Sequence, residues 1–137
     1  MQTFEDLKVF QAALMLRVEV HHMTQTFPRH ELFGIVSQIR RAAGSVTRHI
    51  AEGQGRLTFG EWRQLLSQGR GSLFEVEAEL LAARELGYIN EATLRAMQRR
   101  VREVGGMLMG LIRYVRRREE QARSRNRSRN SQPATPN

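Results

Sequence analysis

The sequence lacks cysteine altogether and contains only three prolines in 137 residues. Disulfide bonds, thiol catalysis and cysteine metal sites are therefore excluded. Pro133 and Pro136 lie close to the C-terminus, so Pro28 alone interrupts the rest of the chain. Because an internal proline removes a helical hydrogen bond and clashes with the preceding turn, the long proline-free stretches allow long helices.

Long apolar runs are also missing. No run approaches the roughly 18 residues that a membrane-spanning helix needs. Residues 1–6 end in two acids and lack the basic-then-apolar pattern of a secretion signal. Together with the missing cysteine, these features predict a cytoplasmic protein that has no membrane partner.

Lysine is nearly absent, and arginine carries the excess of positive charge. The chain has 22 basic and 14 acidic residues, a net charge of +8 and a sequence pI near 11.4, with Lys8 as the single lysine. Half of the excess lies in an alternating run of arginine with serine or asparagine that contains Arg123, Arg125, Arg127 and Arg129. This balance favours a polyanionic partner such as RNA or DNA.

Four segments have apolar side chains at every third or fourth position, which predicts four amphipathic helices. They cover about residues 5–26, 31–52, 58–86 and 90–118. Their boundaries carry helix start and stop signals: Thr3 with Asp6, Phe27-Pro28, Gly53-Gln54-Gly55, Thr58 with Glu61, Gly87, and Asn90. Because the connections are short, we expect an all-α, antiparallel up-down-up-down four-helix bundle.

The periodicity also predicts which faces are buried. On the second helix the predicted buried stripe consists of Leu32, Ile35, Val36, Ile39, Ala43, Val46 and Ile50. On the first helix it consists of Leu7, Phe10, Leu14 and Val18, with His21 at its end. Each stripe repeats at the helical period, as a helix that packs on one side requires.

The segment from Gln121 to Asn137 contains no large apolar side chain. Such a segment has nothing to bury that would offset the entropy of ordering, so we expect it to be disordered. The predicted organisation is a bundle domain over residues 1–120 and a disordered, basic Arg/Ser/Asn-rich tail over residues 121–137.

Two segments have more apolar surface than a single bundle buries. Residues 10–16 and 105–112 are apolar nearly all round, and the second contains Met107 and Met109. Exposed apolar faces favour an interface, here homo-oligomerisation through the outer faces of helices one and four. The alternative is a wide core face with a few exposed methionines. The Gly106-x-x-x-Gly110 spacing is interpreted as close helix packing inside the bundle.

Residue patterns for catalysis or metal binding are absent from the sequence. The four histidines form no i, i+4 pair, and no Glu-x-x-His motif accompanies Glu75, Glu77 and Glu79. There is no nucleophile elbow, phosphate loop or dinucleotide fingerprint. We therefore expect no catalytic residue, no metal, no cofactor and no small-molecule substrate.

Arginine stripes on helices two and four are the candidate nucleic-acid-binding residues, because neutralising phosphates releases counterions. Few aromatic side chains are predicted to be free for base stacking, so the expected binding is directed to the backbone. The alternative is an arginine-rich tail that only aids solubility. The candidate residues are Arg41, Arg48, Arg56, Arg95, Arg99, Arg102, Arg113, Arg116 and Arg117.

The sequence resembles the bacterial 23S rRNA intervening-sequence proteins, also called four-helix-bundle proteins, over about residues 3–118. The residues that carry the resemblance are Phe4 to Phe10, Phe27-Pro28 with Glu31, Gln38 to Val46, Ile50 to Gly53, Gly55-Arg56, Gly71-Ser72-Leu73 with Glu75 and Glu77, and Leu86 to Ile89. Thr47 and His49 depart from the pattern, since the family commonly has proline and asparagine there. The resemblance does not extend to the arginine-rich tail.

The resemblance implies a four-helix bundle without enzyme activity that assembles as a ring-like homo-oligomer, typically a homopentamer. Some relatives are encoded within insertions of ribosomal RNA genes, and similar proteins accompany diversity-generating reverse transcriptases. We therefore expect a non-enzymatic oligomeric accessory protein that binds RNA or DNA. The alternative is a protein-interaction scaffold without a nucleic-acid role.

The family-like segments also have a structural interpretation. In it, Arg40 or Arg41 pairs with Glu52 or Glu75 to fix helix packing or subunit contacts, and Gly53 only caps the second helix. The candidate structural or interface residues are Arg40, Glu52, Gly53, Gly71, Ser72, Glu75, Met107 and Met109.

Overall fold

A computed structural model describes residues 7–131 and 133. Four α-helices account for most of this range, and the described residues include no β-strand. The all-α, four-helix prediction is therefore confirmed. The helices are α1 (Lys8–Thr24), α2 (Ile35–Gln54), α3 (Phe59–Glu85) and α4 (Glu91–Asn130), with a short 3₁₀ turn at Arg29–Glu31 before α2.

The four helices form an antiparallel ring of neighbours. α1 packs on α2, α2 on α3, α3 on α4, and α4 on α1, whereas α2 and α4 lie at opposite corners. The start of α2 meets the end of α1, because Arg40 Nε donates to Thr24 Oγ1 at 2.9 Å. The start of α3 meets the far part of α4 through Arg63 and Glu119. These contacts confirm the up-down-up-down order.

Local side-chain chemistry sets the starts of α3 and α4 as the sequence predicted, whereas α2 begins at Ile35 and not near Glu31. Thr58 Oγ1 accepts a hydrogen bond from the backbone N–H of Glu61 at 3.1 Å, and Asn90 Oδ1 accepts one from Thr93 at 2.8 Å. Each bond satisfies one of the free donors in a first helical turn. Gly87 follows α3 with φ at 78°, a conformation that favours glycine. The predicted capping pair Thr3 and Asp6 lies outside the described residues.

The core consists of a main apolar cluster between all four helices and a smaller cluster of Phe27, Ile35, Val36 and Ala83 near the end of α3. The predicted α2 stripe is buried from Ile35 to Ile50, whereas Leu32 precedes α2 and is 48% exposed. No helix in residues 7–131 is long and apolar enough to cross a membrane. The largest fully buried side chains are Leu16, Val20, Ile39, Val46, Ile50, Leu66, Val76, Leu80, Leu94, Val104, Leu108 and Ile112.

The predicted core face of α1 is wrong from Leu14 onward, whereas Leu7 and Phe10 are half-buried and pack against the core. The buried line is instead Val9, Ala13, Leu16, Val20 and Thr24. Two residues of the predicted stripe, Leu14 and Val18, are 42% and 45% exposed, and His21 is exposed as well. Both lines follow the helical period, so periodicity alone does not choose between them. An apolar strip on α1 therefore faces outward.

The predicted disorder is wrong for residues 121–130, whereas residues 132 and 134–137 of the predicted tail lie outside the described residues. α4 continues to Asn130, about ten residues past the predicted end of the bundle. Every residue from Gln121 to Ser131 is exposed, as expected of a segment without large apolar side chains. The helix continues because extending an existing helix adds one hydrogen bond per residue and needs no new nucleus. Arginine, glutamine and alanine are also good helix formers.

Candidate nucleic-acid interface

Five candidate arginines of α4 form one outward-facing stripe. At 100° per residue they fall within about 60° of one another around the helix axis, on the side away from the buried positions. All five are exposed. The stripe spans about 33 Å along α4, at 1.5 Å per residue. We call it the α4 arginine stripe; it consists of Arg95, Arg99, Arg102, Arg113 and Arg117.

Most of the stripe has no compensating acid. Arg95 Nε lies 3.6 Å from Glu91 Oε1. Within residues 7–131, no ion pair involves the other four members. Arginine stays protonated at any physiological pH and offers a planar, bidentate donor fork that fits phosphate oxygens. The stripe is therefore a permanently positive surface whose donors are available to a polyanion.

Arg116 lies off the stripe, toward α3. It lines a shallow groove with Arg63, Glu119, Glu120 and Arg123. In this groove Arg63 Nε donates to Glu119 Oε2 at 2.6 Å, and the Glu119 side chain is 13% exposed. This bond raises the pKa of Arg63 and lowers the pKa of Glu119 below its ordinary value. The ion pair ties α4 to the start of α3 just before α4 leaves the bundle.

The candidate arginines of the second helix lie on another surface. Arg41 and Arg48 are exposed on α2, and Arg56 is exposed in the loop that follows it. Arg41 Nη2 donates to Gln38 Oε1 at 3.1 Å on the same helix. Because α2 and α4 are at opposite corners of the bundle, these arginines face away from the α4 arginine stripe. Within one chain, the nine predicted residues therefore do not form a single interface.

Within one chain, the predicted pairing of Arg40 or Arg41 with Glu52 or Glu75 does not occur among the described residues; the alternative of a contact between subunits stays a prediction. Arg40 Nε donates to Thr24 Oγ1, and its Nη2 lies 3.4 Å from the carbonyl oxygen of His21. Glu52 and Glu75 are exposed, and neither forms an ion pair with a described residue. Thr24 is buried and near Arg40 in space, so the guanidinium ties α2 to the last turn of α1.

The predicted role of Gly53 as a simple helix cap is wrong as well. Gly53 is buried inside the last turn of α2, and a Cβ atom there would lie 2.6 Å from Cδ1 of Trp62. Among the described residues, Trp62 Nε1 and Gln54 Oε1 are buried without a hydrogen-bond partner. Packing against the bare backbone of Gly53 therefore holds the indole, and no hydrogen bond does so.

Ser72 belongs to a polar contact between α2 and α3. Its Oγ lies 2.8 Å from Ser45 Oγ, and His49 Nδ1 lies 2.8 Å from the carbonyl oxygen of Ser45. His49 Nδ1 also lies 3.0 Å from Ser45 Oγ, so the imidazole contacts both the hydroxyl and the carbonyl of Ser45. A Cβ atom at Gly69 would lie 3.4 Å from Cβ of His49, so the two helices approach closely here. This polar cluster therefore joins α2 to α3.

The glycines of the predicted close-packing motif do not pack within the chain. A Cβ atom at Gly106 or Gly110 would have no atom within 4 Å, and the same holds for Gly71. Met107 and Met109 are half-buried at the edge of the core. A mid-helix glycine costs about 0.5–1 kcal/mol relative to alanine. Packing within a single chain therefore does not explain why glycines occupy the outer face of α4.

Other apolar side chains also lie on the surface of the bundle. Leu14, Met15 and Val18 face outward from α1. Phe74 is 59% exposed and lies in a groove of about 340 Å³ between α3 and α4, with the Arg70 guanidinium 5.1 Å from its ring centre. Exposed apolar faces of this kind are typical of protein interfaces.

Two ion pairs join residues that are far apart in the sequence, and neither pair was predicted from the sequence. Arg63 and Glu119 are 56 residues apart, and Arg100 and Glu19 are 81 apart, with 3.0 Å between Arg100 Nε and Glu19 Oε1. No local spacing marks such pairs, because only the packing of α3 on α4 and of α1 on α4 brings them together. Among residues 7–131, no group of three or more acidic or histidine side chains is placed to hold a metal ion.

Fold and surface together define a small all-α protein, a single antiparallel four-helix bundle with an arginine stripe along its last helix. The sequence model of the 23S rRNA-intervening sequence protein family matches residues 5–110. This is more than half of the chain, and the protein belongs to that family. No curated protein matches the chain. The match ends before Arg113, so the end of the stripe and the extension of α4 lie beyond it.

Proposed function

We propose that this chain is a non-enzymatic accessory protein that binds the backbone of RNA or DNA through the α4 arginine stripe. The observation that carries the proposal is the row of exposed arginines without acidic partners, Arg99, Arg102, Arg113 and Arg117. Phosphate contacts by such a row give salt-dependent affinity with little sequence preference. The name of the matched family refers to 23S rRNA, and this name is the support that the family match gives to a role with RNA.

The proposal includes assembly into a homo-oligomer, which the family resemblance suggests is a pentamer. The outward apolar strip of α1, which contains Leu14, Met15 and Val18, supports an interface between copies that leaves the α4 arginine stripe uncovered. Each copy would add one arginine stripe, so a ring contacts a polyanion at several points and gains avidity. Multi-angle light scattering tests the assembly, and a monomeric mass at micromolar concentration would refute it.

The test of nucleic-acid binding is fluorescence anisotropy with structured RNA, single-stranded DNA and duplex DNA over a salt series. Replacing the four unpaired stripe arginines with glutamine lowers the charge by four. A control with the same charge change replaces four exposed arginines outside α4. The first set is Arg99→Gln, Arg102→Gln, Arg113→Gln and Arg117→Gln; the control set is Arg29→Gln, Arg41→Gln, Arg48→Gln and Arg56→Gln.

On duplex DNA, the stripe variant is expected to lose about 3 to 4 from the slope of log K against log salt, since each phosphate contact contributes about 0.9. The control variant is expected to keep most of the slope. Equal losses in both variants would mean that the chain responds only to total charge. Loss in the control alone would move the interface to α2, and no binding of the full chain at low salt would refute the nucleic-acid function.

A protein-interaction scaffold is the second candidate, and the exposed Phe74 in its groove favours it. A partner docked on such an apolar surface would bind with little dependence on salt, because burial of apolar area is not screened by ions. Salt-insensitive capture of a protein partner, together with no nucleic-acid binding, would place this function first.

A further inference from the structure

The part of α4 beyond the bundle is a free-standing helix. From Gln121 to Ser131 every residue is exposed, and the one ion pair that reaches this segment joins Arg123 to Glu119 one turn earlier. At 1.5 Å per residue the segment projects by about 15 Å. We call Gln121–Asn130 the α4 extension. Because it buries no apolar surface, the bundle core gives no reason for its composition.

The extension arranges its side chains in distinct lines around the axis. Asn126 and Asn130 are four residues apart and lie one above the other on one side. At 100° per residue, Arg123 and Arg127 lie about 60° to one side of this line, and the other two arginines lie about 100° to the other side. The remaining arginines are Arg125 and Arg129, and the opposite side carries Ser124 and Ser128.

The extension keeps most of its positive charge uncompensated, with Arg123 alone paired to Glu119 at its start. Its four arginines face no acid within Gln121–Asn130, so the segment carries +4. Two of them, Arg127 and Arg129, lie in the last turn of the helix, where the macrodipole favours cations. The helix is therefore positive on two separate sides, with neutral amides between them.

We propose that the α4 extension inserts into the major groove of duplex DNA, with the line of Asn126 and Asn130 toward the base edges. The arginines on either side of that line then contact the two phosphate backbones that border the groove. An asparagine amide donates to N7 of adenine and accepts from its N6 amino group, so the preferred base pair is A·T. The inference rests on the proposed nucleic-acid function and assigns a partner class to a part of the chain that the stripe does not use.

The dimensions favour duplex DNA over duplex RNA. An α-helix with its side chains is about 10–12 Å across, and the major groove of B-form DNA is about 12 Å wide. The major groove of A-form RNA is deep and too narrow for side-chain recognition. A helix with charges on two sides also fits between two phosphate walls better than it fits a single strand, which has one backbone.

The experiment uses the full chain and two matched double variants. Asn126→Ala with Asn130→Ala removes the proposed base contacts, and Ser124→Ala with Ser128→Ala removes the opposite line. Alanine is a better helix former than either residue, so neither variant should lose the helix, which circular dichroism checks. Both variants keep the charge of the parent chain.

The probes are a duplex DNA of alternating A·T pairs, the same duplex with 7-deazaadenine in place of adenine, and the corresponding RNA duplex. 7-Deazaadenine removes the N7 acceptor from the major groove while the phosphates and base pairing stay the same. The parent chain is expected to bind the 7-deaza duplex about tenfold more weakly than the normal one. The asparagine variant should bind both duplexes equally, and the serine variant should behave like the parent.

Each other outcome overturns the inference. Equal affinity of the parent for the normal and 7-deaza duplexes means that the extension touches only the backbone. Equal affinity for the RNA duplex means that the major groove of DNA is not the site. In both cases the loss of binding in the α4 stripe variant still supports the proposed function, whereas a parent chain that binds no probe at low salt refutes both proposals.

Discussion

Replacing Gly53 with alanine is expected to destabilise the bundle, although the same change normally stabilises a helix. The new Cβ atom would lie 2.6 Å from Cδ1 and 3.1 Å from Nε1 of Trp62, and 3.6 Å from its backbone oxygen. The indole is a rigid ring and not the end of a flexible side chain. It can escape the clash only by leaving its packing position or by moving α3 away from α2.

Two opposing effects set the magnitude. Overpacking a well-filled site costs about 1–3 kcal/mol. Removing a glycine from a helix gains about 0.5–1 kcal/mol. From the middle of each range, we therefore expect Gly53→Ala to lower the free energy of unfolding by about 1 kcal/mol.

Gly71→Ala is the matched control, because Gly71 lies inside α3 and a Cβ atom there meets nothing within 4 Å. It should raise the free energy of unfolding by about 0.5–1 kcal/mol. Urea unfolding followed by circular dichroism measures both, and the Trp62 fluorescence reports on its surroundings. The two variants are expected to differ by about 2 kcal/mol, with opposite signs relative to the parent chain.

A Gly53→Ala protein that is as stable as the parent would refute the reasoning. It would show that the indole yields without cost and that the close approach of α2 and α3 is incidental. A red-shifted Trp62 emission together with lower stability would locate the cost in an indole displaced toward water. Reduced stability of both variants to the same extent would mean that a general effect of the substitution, and not the local clash, was measured.

Two further perturbations test the fold. Leu16→Ala should lower the free energy of unfolding by about 2–5 kcal/mol because Leu16 is fully buried, whereas Leu14→Ala should lower it by less than about 1 kcal/mol because Leu14 is exposed. Urea unfolding measures both variants. A larger loss for Leu14→Ala would mean that the face of α1 predicted from the sequence is the buried one. The lowered pKa of Glu119 stabilises the fold above the ordinary carboxyl pKa of 4.5, and this contribution is lost as the pH falls through the lower folded-state pKa. Glu119→Gln should therefore flatten the loss of stability between about pH 5 and 3, and an unchanged acid limb would show that the ion pair with Arg63 contributes nothing.

The number, order and capping of the helices could be predicted because they depend on local signals. Thr58 and Asn90 act within three residues of themselves, and Gly87 acts through its own backbone. The α2 stripe was also readable, since its apolar positions follow one line and its other face is polar or small. In each case the information lies within one or two helical turns.

The face of α1 could not be predicted, because its sequence offers two apolar lines of the same period. Which line is buried depends on α2 and α4, whose positions no local pattern contains. The same limit hid the contact of Gly53 with Trp62 and the partner of Arg40, since Thr24 lies in another helix. The candidate arginines were recognisable as residues, but their division between two opposite surfaces follows only from the corners that α2 and α4 occupy.

The continuity of α4 gives the two proposed nucleic-acid contacts a fixed relation. The α4 arginine stripe and the line of Asn126 and Asn130 belong to one uninterrupted helix, and they lie roughly 130° apart around its axis at 100° per residue. A single straight duplex cannot contact both directions of one rigid helix. If both surfaces bind, one chain therefore holds two separate segments of nucleic acid, one along the bundle and one beyond its end. Bridging of this kind would fit the proposed accessory role, and repetition of the bundle in an oligomer would multiply the bridges.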